Sequence, residues 1–270
     1  MSASGLDDAC LRLLVLSPHR DDAAFSVSLS IRQWLLAGHK VTLLSAFTRS
    51  TYAPYEALEA MSEDERLERV SELRSAEDKA FISALPGNVR SLDLKFLDAP
   101  IRLRCDSTEV YQIESGNTDT AISGIRRAMA QWIESQASDE LCGLVIPLAI
   151  GGHVDHRIAR DAAVPFAASL PSAFYEDLPY MMRDGAREDF ASICRELGNE
   201  LSENLSPVLI GMMKPGAAEL KRHLASVYKS QIDLSLAEAI ANYSQRYDGA
   251  EQLWVNRAWR EIASADQLST

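Results

Sequence analysis

The 270-residue sequence predicts an α/β fold in which helices flank a mostly parallel β-sheet. Three observations lead to this prediction: short apolar runs of strand length, amphipathic segments of helix length between them, and Gly or Pro at their junctions. The clearest unit spans residues 11–47, where a strand, a helix and a second strand follow one another. Such units are almost always right-handed, with parallel strands.

Each predicted strand is a run of mainly apolar residues that ends at a turn signal. Pro18 ends the first run because proline cannot extend a central strand, and Gly151 with Gly152 ends the fourth. The third run alternates apolar and polar side chains, as a half-exposed or edge strand does. The predicted strands are residues 11–16, 40–47, 92–97, 144–150, 172–176 and 207–213.

Each predicted helix carries an apolar stripe at helical spacing. Gly38 follows the first helix as a C-terminal glycine. Ser62 and Glu65 have the spacing of a capping box at the start of the second, which Pro86 and Gly87 end. The predicted helices are residues 24–37, 62–84, 118–138, 155–168 and 217–231. Because the chain shows no internal repeat, low-complexity tract or linker, we expect one domain over residues 1–270.

Composition and charge disfavour several classes of protein. Apolar residues make up 47% and charged residues 24%, as in ordinary globular chains. The 39 acidic against 27 basic residues, a net charge of −12, argue against binding to nucleic-acid phosphates. No apolar run approaches the about 18–20 residues of a membrane span, and the first residues lack the features of a signal peptide. Four cysteines without a CxxC pair indicate free thiols, so we expect a cytoplasmic protein.

Three of the five histidines lie in two short polar segments, each directly after a strand of the buried type. The segments are residues 17–22, Ser-Pro-His-Arg-Asp-Asp, and residues 152–157, Gly-His-Val-Asp-His-Arg. In open α/β sheets, ligands bind at the carboxyl ends of the strands, where the strand order reverses. With 11–17 as the first strand and 144–150 as the fourth, doubly wound order makes them neighbours. We therefore expect the two segments to face one crevice.

Two histidines and a carboxylate from these segments would form a first-row metal site with open positions for water. Zn²⁺ suits this set best, and Fe²⁺ or Co²⁺ would also fit. A spare carboxylate would serve as general base, and a spare histidine as general acid or as support for an oxyanion. The alternative is that Asp21 and Asp22 only cap the next helix and that His153 is a loop residue. A dinucleotide site is disfavoured because the first turn lacks Gly-x-Gly.

Two motifs resemble the signatures of the PIG-L/LmbE-like deacetylases. Pro-His-Arg-Asp-Asp at residues 18–22 is similar to that family's Pro-His-Pro-Asp-Asp-Glu, and His-Val-Asp-His-Arg at residues 153–157 is similar to its His-Pro-Asp-His-Arg. Weaker similarities lie at residues 74–77, 97–98, 175–180 and 228–231. The resemblance implies a Rossmann-like fold and a zinc-dependent N-deacetylase that usually acts on N-acetylglucosaminyl compounds.

The resemblance also implies a role for each polar residue of the two motifs. The metal ligands would be His19, Asp22 and His156. Asp21 would be the general base that deprotonates the attacking water. His153 would stabilise the tetrahedral intermediate or protonate the leaving amine, and Asp155 would orient His153 and tune its charge.

Two positions depart from the family signature, and three residues are predicted to contact the substrate. Arg20 stands where the family has proline, and Ala23 where it has glutamate. Arg20 is expected either to attract an anionic group of the substrate or to pair with a nearby acid at the surface. Arg74 and Asp98 are predicted to bind sugar hydroxyls. The alternatives are a helix-surface ion pair for Arg74 and a turn cap for Asp98.

The sequence therefore predicts a metal-dependent amide hydrolase that removes the acetyl group of an N-acetylated amino sugar or related small metabolite, giving amine and acetate. Two alternatives stay open: an amidase acting on a larger amide or thiol conjugate with the same site, and a non-catalytic protein that binds metal or glycan. Substrate choice is expected to lie in loops 48–61, 99–117 and 177–206. The oligomeric state, including a homo-oligomer, is left open.

Overall fold

The computed structural model describes residues 10–113, 119–137, 140–211 and 215–267. Residues 1–9, on which the expected lack of a signal peptide rests, lie outside the described residues. So do 114–117 of one predicted loop, 118 and 138 at the ends of one predicted helix, and 212–213 of the last predicted strand. No helix within the described ranges is long and apolar enough to cross a membrane.

The described strands form one mixed sheet. They are β1 (Arg12–Ser17), β2 (Lys40–Arg49), β3 (Arg90–Leu97), β4 (Cys142–Pro147), β5 (Ser172–Tyr175), β6 (Ser206–Ile210) and β7 (Glu251–Val255). Their order is β3-β2-β1-β4-β5-β7-β6. The pairs from β3 to β5 are parallel, whereas β7 runs antiparallel to both β5 and β6. This order confirms the predicted α/β fold with a mostly parallel sheet, and β1 and β4 are neighbours as expected.

Helices connect the strands. They are α1 (Asp22–Leu36), α2 (Glu63–Ala84), α3 (Ala99–Leu103), α4 (Thr120–Glu134), α5 (Val154–Ala167), α6 (Ala186–Leu201), α7 (Ala217–Ala225), α8 (Leu234–Ser244) and α9 (Arg257–Gln267). The predicted capping box at the start of α2 is present, with Ser62 and Glu65 bonding each other's backbone. The organisation as one domain over residues 1–270 stays a prediction.

The last part of the chain differs most from the sequence prediction. The predicted helix 217–231 ends at Ala225, where the Ser226 hydroxyl bonds the His223 carbonyl and the chain turns so that Tyr228 enters the core. β7 was not predicted because its alternation places a charged residue, Glu251, at a buried position. Helix α6 lies inside the expected loop 177–206, and α8 and α9 were not predicted either.

β1 is the central strand for the site. Its residues Leu13 to Leu16 are at most 1% exposed, as expected for a strand with parallel neighbours on both sides and covered faces. Because β1 and β4 run parallel in register from Arg12 and Cys142, their carboxyl ends lie at the same edge of the sheet. The segments that follow these two strands are therefore held at one place.

Helix α1, which begins with Asp22, contains a break that the end of the chain stabilises. Val27 has non-helical backbone angles, and just beyond it the N–H groups of Leu29 and Ser30 donate to the Glu251 carboxylate at 3.1 and 2.8 Å. Lys221 is fully buried and pairs with the same carboxylate. Burial lowers the pKa of Lys221, and Glu251 opposes that effect. β7 and α7 thus support the helix that carries Asp22.

We expect Lys221→Met to lower the free energy of unfolding by about 3–5 kcal/mol, because it leaves the Glu251 carboxylate buried without its counter-charge. Denaturant unfolding of the purified chain measures this change. Lys79→Met is the matched control, since Lys79 is an exposed lysine of α2 and should change the value by about 0.5 kcal/mol or less. A Lys221→Met loss no larger than that of the control would contradict the argument.

Candidate metal centre and active site

The turn between β1 and α1 is closed by its own side chains. The Ser17 hydroxyl donates to the His19 carbonyl and accepts from the Ala23 N–H. The His19 N–H donates to Asp22 Oδ2 at 2.6 Å. These bonds fold the segment back on itself and place His19 and Asp22 next to each other, both nearly buried.

The second turn follows β4 and uses left-handed backbone. Ala149, Gly151 and Gly152 have φ values of 64°, 82° and 74°, which ends the strand three residues before the predicted position 150. A Cβ at Gly151 would lie 2.8 Å from Cβ of Tyr180, so a side chain there would displace Tyr180. The turn delivers His153 as the N-cap of α5, where its Nδ1 accepts from the Asp155 N–H at 3.2 Å.

The two turns meet. The ring centroids of His19, His153 and His156 lie 5.0 to 5.3 Å from one another. Asp22 Oδ2 is 3.4 Å from both His19 Nδ1 and His156 Nε2. Ligand atoms of His19, Asp22 and His156 all lie within 4.8 Å of each other. The structure therefore brings together the three predicted ligands, which are far apart in the sequence, and their binding of a metal stays a prediction.

His156 shows why this group fits a cation. The ring is fully buried, and its Nδ1 is bonded to Asp177 Oδ1 at 2.7 Å. Asp177 is fixed in turn by the Ile150 N–H, 3.1 Å from its other oxygen. Among the described residues, His156 Nε2 has no hydrogen-bond partner. A buried unpaired nitrogen facing a carboxylate and a second imidazole is what a metal ligand looks like without its ion, and the carboxylate behind it is the usual support.

A second group of potential ligands overlaps the first. It consists of His19, His153 and Asp155, whose ligand atoms also lie within 4.8 Å of one another. The Asp155 carboxylate is already satisfied, because it bonds His19 Nε2 at 3.0 Å, the Ala99 N–H at 2.9 Å and the Arg102 guanidinium at 2.8 Å. The group that contains the unpaired His156 nitrogen is therefore the better candidate for a metal.

These contacts correct the expected role of Asp155. Its carboxylate contacts His19 rather than His153, and only its backbone N–H reaches His153. The reason is that Asp155 lies one residue inside α5 with its side chain directed towards α3 and β1, where Arg102 and Ala99 hold it. Since His153 Nδ1 is an acceptor, the proton of the neutral ring is on Nε2.

Burial and charge set the protonation of the cluster. Burial acts against a charged His19, but hydrogen bonds to Asp155 and Asp22 outweigh it and raise the pKa of His19 to about 10. Burial would raise the pKa of Asp22, but the two neighbouring histidines bring it down to about 2. Burial, helped by His19 and His156, lowers the pKa of His153 well below its usual value. The site thus combines ionised carboxylates with a neutral His153.

A cavity of about 390 Å³ opens above this cluster. The predicted residues Asp21, Arg74 and Asp98 line it together with His19, Asp22 and His153. Arg74 donates to Asp21 Oδ1 at 2.7 Å. Burial disfavours the charged guanidinium, but Asp21 and neighbouring carboxylates raise the pKa of Arg74. Arg74 therefore holds Asp21 at the cavity wall.

Asp98 is nearly buried in the cavity wall, and burial raises the pKa of its carboxyl group. Its Oδ1 has no hydrogen-bond partner in the part of the chain that the structure describes. The carboxyl group does not cap α3, the short helix that begins at Ala99 after it. The alternative of a turn cap is thus not what the structure shows, and Asp98 lines the cavity with a nearly buried carboxyl group.

The structure does not bring Arg20 to this cavity. Its guanidinium points the other way and bonds Asp78 of α2 and Asp93 of β3. The expected contact of Arg20 with the substrate is corrected accordingly. The alternative, pairing with acids, is closer to the structure, but the pair is buried rather than at the surface because Arg20 is only 6% exposed.

The opposite wall of the cavity was not predicted. Tyr111 stands edge-on to His153 and Tyr180 edge-on to His156, and Arg183 lies over both tyrosine rings at 5.2 and 4.7 Å. Tyr111 and Arg183 come from expected loops without a motif, and Tyr180 ends the weak similarity at residues 175–180, which gave it no role. The sequence analysis did not predict that Asp177 supports His156. The position of Asp177 shortly after β5, at the same sheet edge as the two histidine motifs, is the pattern that could have indicated it.

Comparison with known proteins gives the chain a context. The sequence model of the family described as "PIG-L: GlcNAc-PI de-N-acetylase" matches residues 14–167. A 2'-N-acetylparomamine deacetylase of Streptomyces fradiae is 30% identical over 246 residues, which cover 90% of this chain and 81% of that protein.

Solved structures share the fold. A zinc-inhibited form of a teicoplanin deacetylase superimposes with a TM-score of 0.63 at 20% identity, covering 90% of this chain and 97% of the other. The N,N'-diacetylchitobiose deacetylase of Pyrococcus horikoshii gives a TM-score of 0.55 at 15% identity, covering 92% and 84%. At these identities the likeness concerns the fold.

We expect Asp177→Asn to weaken Zn²⁺ binding about 10–100-fold, because the amide keeps an acceptor for the Ile150 N–H but removes the charge that makes His156 a strong ligand. Competition with a chromophoric chelator measures the affinity without any substrate. Glu176→Gln is the neighbouring control: its carboxylate contacts Tyr243, Tyr247 and Trp254 instead of His156. Equal affinities for Asp177→Asn and the unchanged chain would show that Asp177 does not support a ligand.

Proposed function

Since this chain belongs to the PIG-L family, we propose that it is a metal-dependent N-deacetylase that hydrolyses the acetamide of an N-acetylglucosamine-type conjugate. The family model covers more than half of the chain, and the 30% identical relative is named as a deacetylase of an acetylated aminoglycoside precursor. That relative supports an amino sugar within a small conjugate as the substrate class.

One observation carries the proposal: the fully buried His156 Nε2, which has no hydrogen-bond partner among the described residues, lies 3.4 Å from Oδ2 of Asp22, and Asp22 lines the same cavity as Asp21. The donor set of two imidazoles and one carboxylate fits Zn²⁺, with Fe²⁺ or Co²⁺ as further candidates. When bound, such an ion supplies Lewis acidity that polarises the acetamide carbonyl and lowers the pKa of a water beside it.

The residues around the ligands divide the proton chemistry. Asp21, held by Arg74, takes a proton from the water while the oxygen of that water adds to the acetamide carbon. His153 is neutral and has its proton on Nε2, which suits it to donate a hydrogen bond to the carbonyl oxygen as negative charge develops there. The C–N bond then breaks, and Asp21 returns its proton to the leaving nitrogen. The products are acetate and the free amine.

The cavity wall supports recognition of a sugar. Asp98 lines the cavity, and its carboxyl group is of a kind that binds a sugar hydroxyl. Arg74 lines the same cavity, with its guanidinium bonded to Asp21. The tyrosines 111 and 180 offer flat apolar surface on the other side of the cavity. Binding by Arg74 and Asp98 stays a prediction, and so does a cytoplasmic location.

We expect the purified chain to bind one divalent ion and to release acetate from N-acetylated amino sugars, including 2'-N-acetylparomamine and N-acetylglucosamine conjugates. Elemental analysis and an acetate assay over this panel test both statements, and a chelator should abolish turnover because the Lewis acid is removed. Release of the amine with an acyl product other than acetate would favour the amidase of larger conjugates. Bound metal without turnover on any amide would favour the non-catalytic binding protein.

We expect Asp21→Asn to lower kcat about 10²–10⁴-fold, the usual contribution of a general base, while the bound metal is retained. Asparagine keeps an acceptor for Arg74 but cannot take the proton of water. Steady-state kinetics and metal content are measured together. Asp184→Asn is the control and should leave kcat unchanged, because Asp184 is exposed and is not among the residues that line the cavity. An unaltered rate in Asp21→Asn would assign the base to another residue.

A further inference from the structure

Among the charged residues of the first turn, Arg20 directs its side chain away from the cavity, and this side chain is buried against other parts of the protein. Its side chain is 7% exposed and reaches two other elements. Nη1 donates to Asp78 Oδ2 of α2 at 3.1 Å, and Nη2 donates to Asp93 Oδ2 of β3. Its immediate neighbours along the chain, His19 and Asp21, face the cavity.

The backbone of Arg20 is held as well. The hydroxyl of Tyr228 lies 3.0 Å from the Arg20 carbonyl and 3.0 Å from Asp78 Oδ1. Tyr228 is fully buried, with Phe25 and Phe81 packed against its ring. The segment after α7 therefore fixes the main chain of the turn and one of the carboxylates that fix its side chain.

The second carboxylate is also fixed. Asp93 Oδ1 accepts from the Thr48 hydroxyl and from the Lys95 N–H, the latter at 2.9 Å. Lys95 itself has left-handed backbone, with a φ of 57°. Arg20 thus joins two carboxylates that the surrounding chain holds independently of the metal ligands.

We propose that Arg20 is a positioning residue: through Asp78 and Asp93 it locks the turn that presents His19 and Asp22, and so sets the affinity of the metal site. The inference rests on the proposed function, because it concerns the same site. Catalytic groups need to be held within about 0.5 Å of their working positions. Because one turn carries both His19 and Asp22, a shift of this turn displaces both predicted ligands.

Two features distinguish this role from the others open to a buried arginine. Both Nη atoms are occupied by carboxylates on the side away from the cavity, so the guanidinium has no path to a substrate in the cavity. A contribution to stability alone does not explain a buried ion network, since packed apolar residues generally serve as well or better. The planar guanidinium binds the two carboxylates in fixed directions and so specifies one arrangement of the turn. Apolar packing constrains the turn less strictly.

The test is the affinity for Zn²⁺, measured by chelator competition on metal-free protein without substrate. We expect Arg20→Met to weaken binding about 10–100-fold, as removal of supporting residues usually does. Arg20→Lys should recover only part of the lost Zn²⁺ affinity, because an ammonium group can pair with one carboxylate but cannot bind Asp78 and Asp93 at the same time as the guanidinium does. Arg49→Met is the matched control: Arg20 and Arg49 both line a groove beside α2 on the outside of the protein, but the Arg49 guanidinium pairs with Glu68 at the surface.

A mutant cycle separates positioning from a general loss of structure. Asp93→Asn should also weaken Zn²⁺ binding, and the double variant Arg20→Met/Asp93→Asn should be no weaker than Arg20→Met, because both changes break one network. Unfolding midpoints of the metal-free variants show whether they are folded. If Arg20→Met does not fold, Asp93→Asn alone carries the test, since Asp93 is partly exposed and its loss is milder.

The outcomes are distinguishable. Wild-type affinity in folded Arg20→Met or in Asp93→Asn would overturn the positioning role while leaving the proposed function intact. A raised KM at saturating Zn²⁺ with unchanged metal affinity would also overturn it and would restore Arg20 as a substrate contact. If the unchanged chain itself bound no divalent ion, the proposed function would fail, and this inference with it.

Discussion

The parallel pairing of β1 with β4 is the constraint on which the site depends. These strands are neighbours at the centre of the sheet, so the chain leaves both at the same edge. One exit carries His19 and Asp22, and the other carries His153 and His156. β5 lies next in the sheet and delivers Asp177 behind His156. Turns after three adjacent strands thus supply the predicted ligand atoms and the carboxylate behind one of them.

The sequence predicted the parts of this arrangement that depend on local pattern. Apolar runs, glycines and prolines located β1, β2, β4 and the helices between them, and the two histidine motifs could be placed at strand ends. It predicted less where a side chain acts across the fold. Asp155 lies in a motif, yet its partners Arg102 and Ala99 are more than fifty positions away, and no local pattern indicates which imidazole it contacts.

Arg20 is a second residue whose partners could not be predicted from local sequence pattern. An arginine within the first histidine motif suggests a ligand for an anion, and only the fold reveals that Asp78 and Asp93 bind it. The C-terminal part was hardest to predict, because Glu251 is charged at a buried strand position and Tyr228 follows a helix that ends early. Both residues are paired with the first thirty residues of the chain. Such long-range pairing leaves no periodicity for a sequence to show.

The Glu251 carboxylate that completes the broken helix α1 has a consequence for how the protein is made. Synthesis proceeds from the N-terminus, so Asp22 and its helix leave the ribosome long before the residue that satisfies the N–H groups of Leu29 and Ser30. The helix that carries Asp22 is therefore completed only after residue 251 has been synthesised. A nascent chain halted before residue 251 would carry every predicted metal ligand and still lack the carboxylate that completes α1.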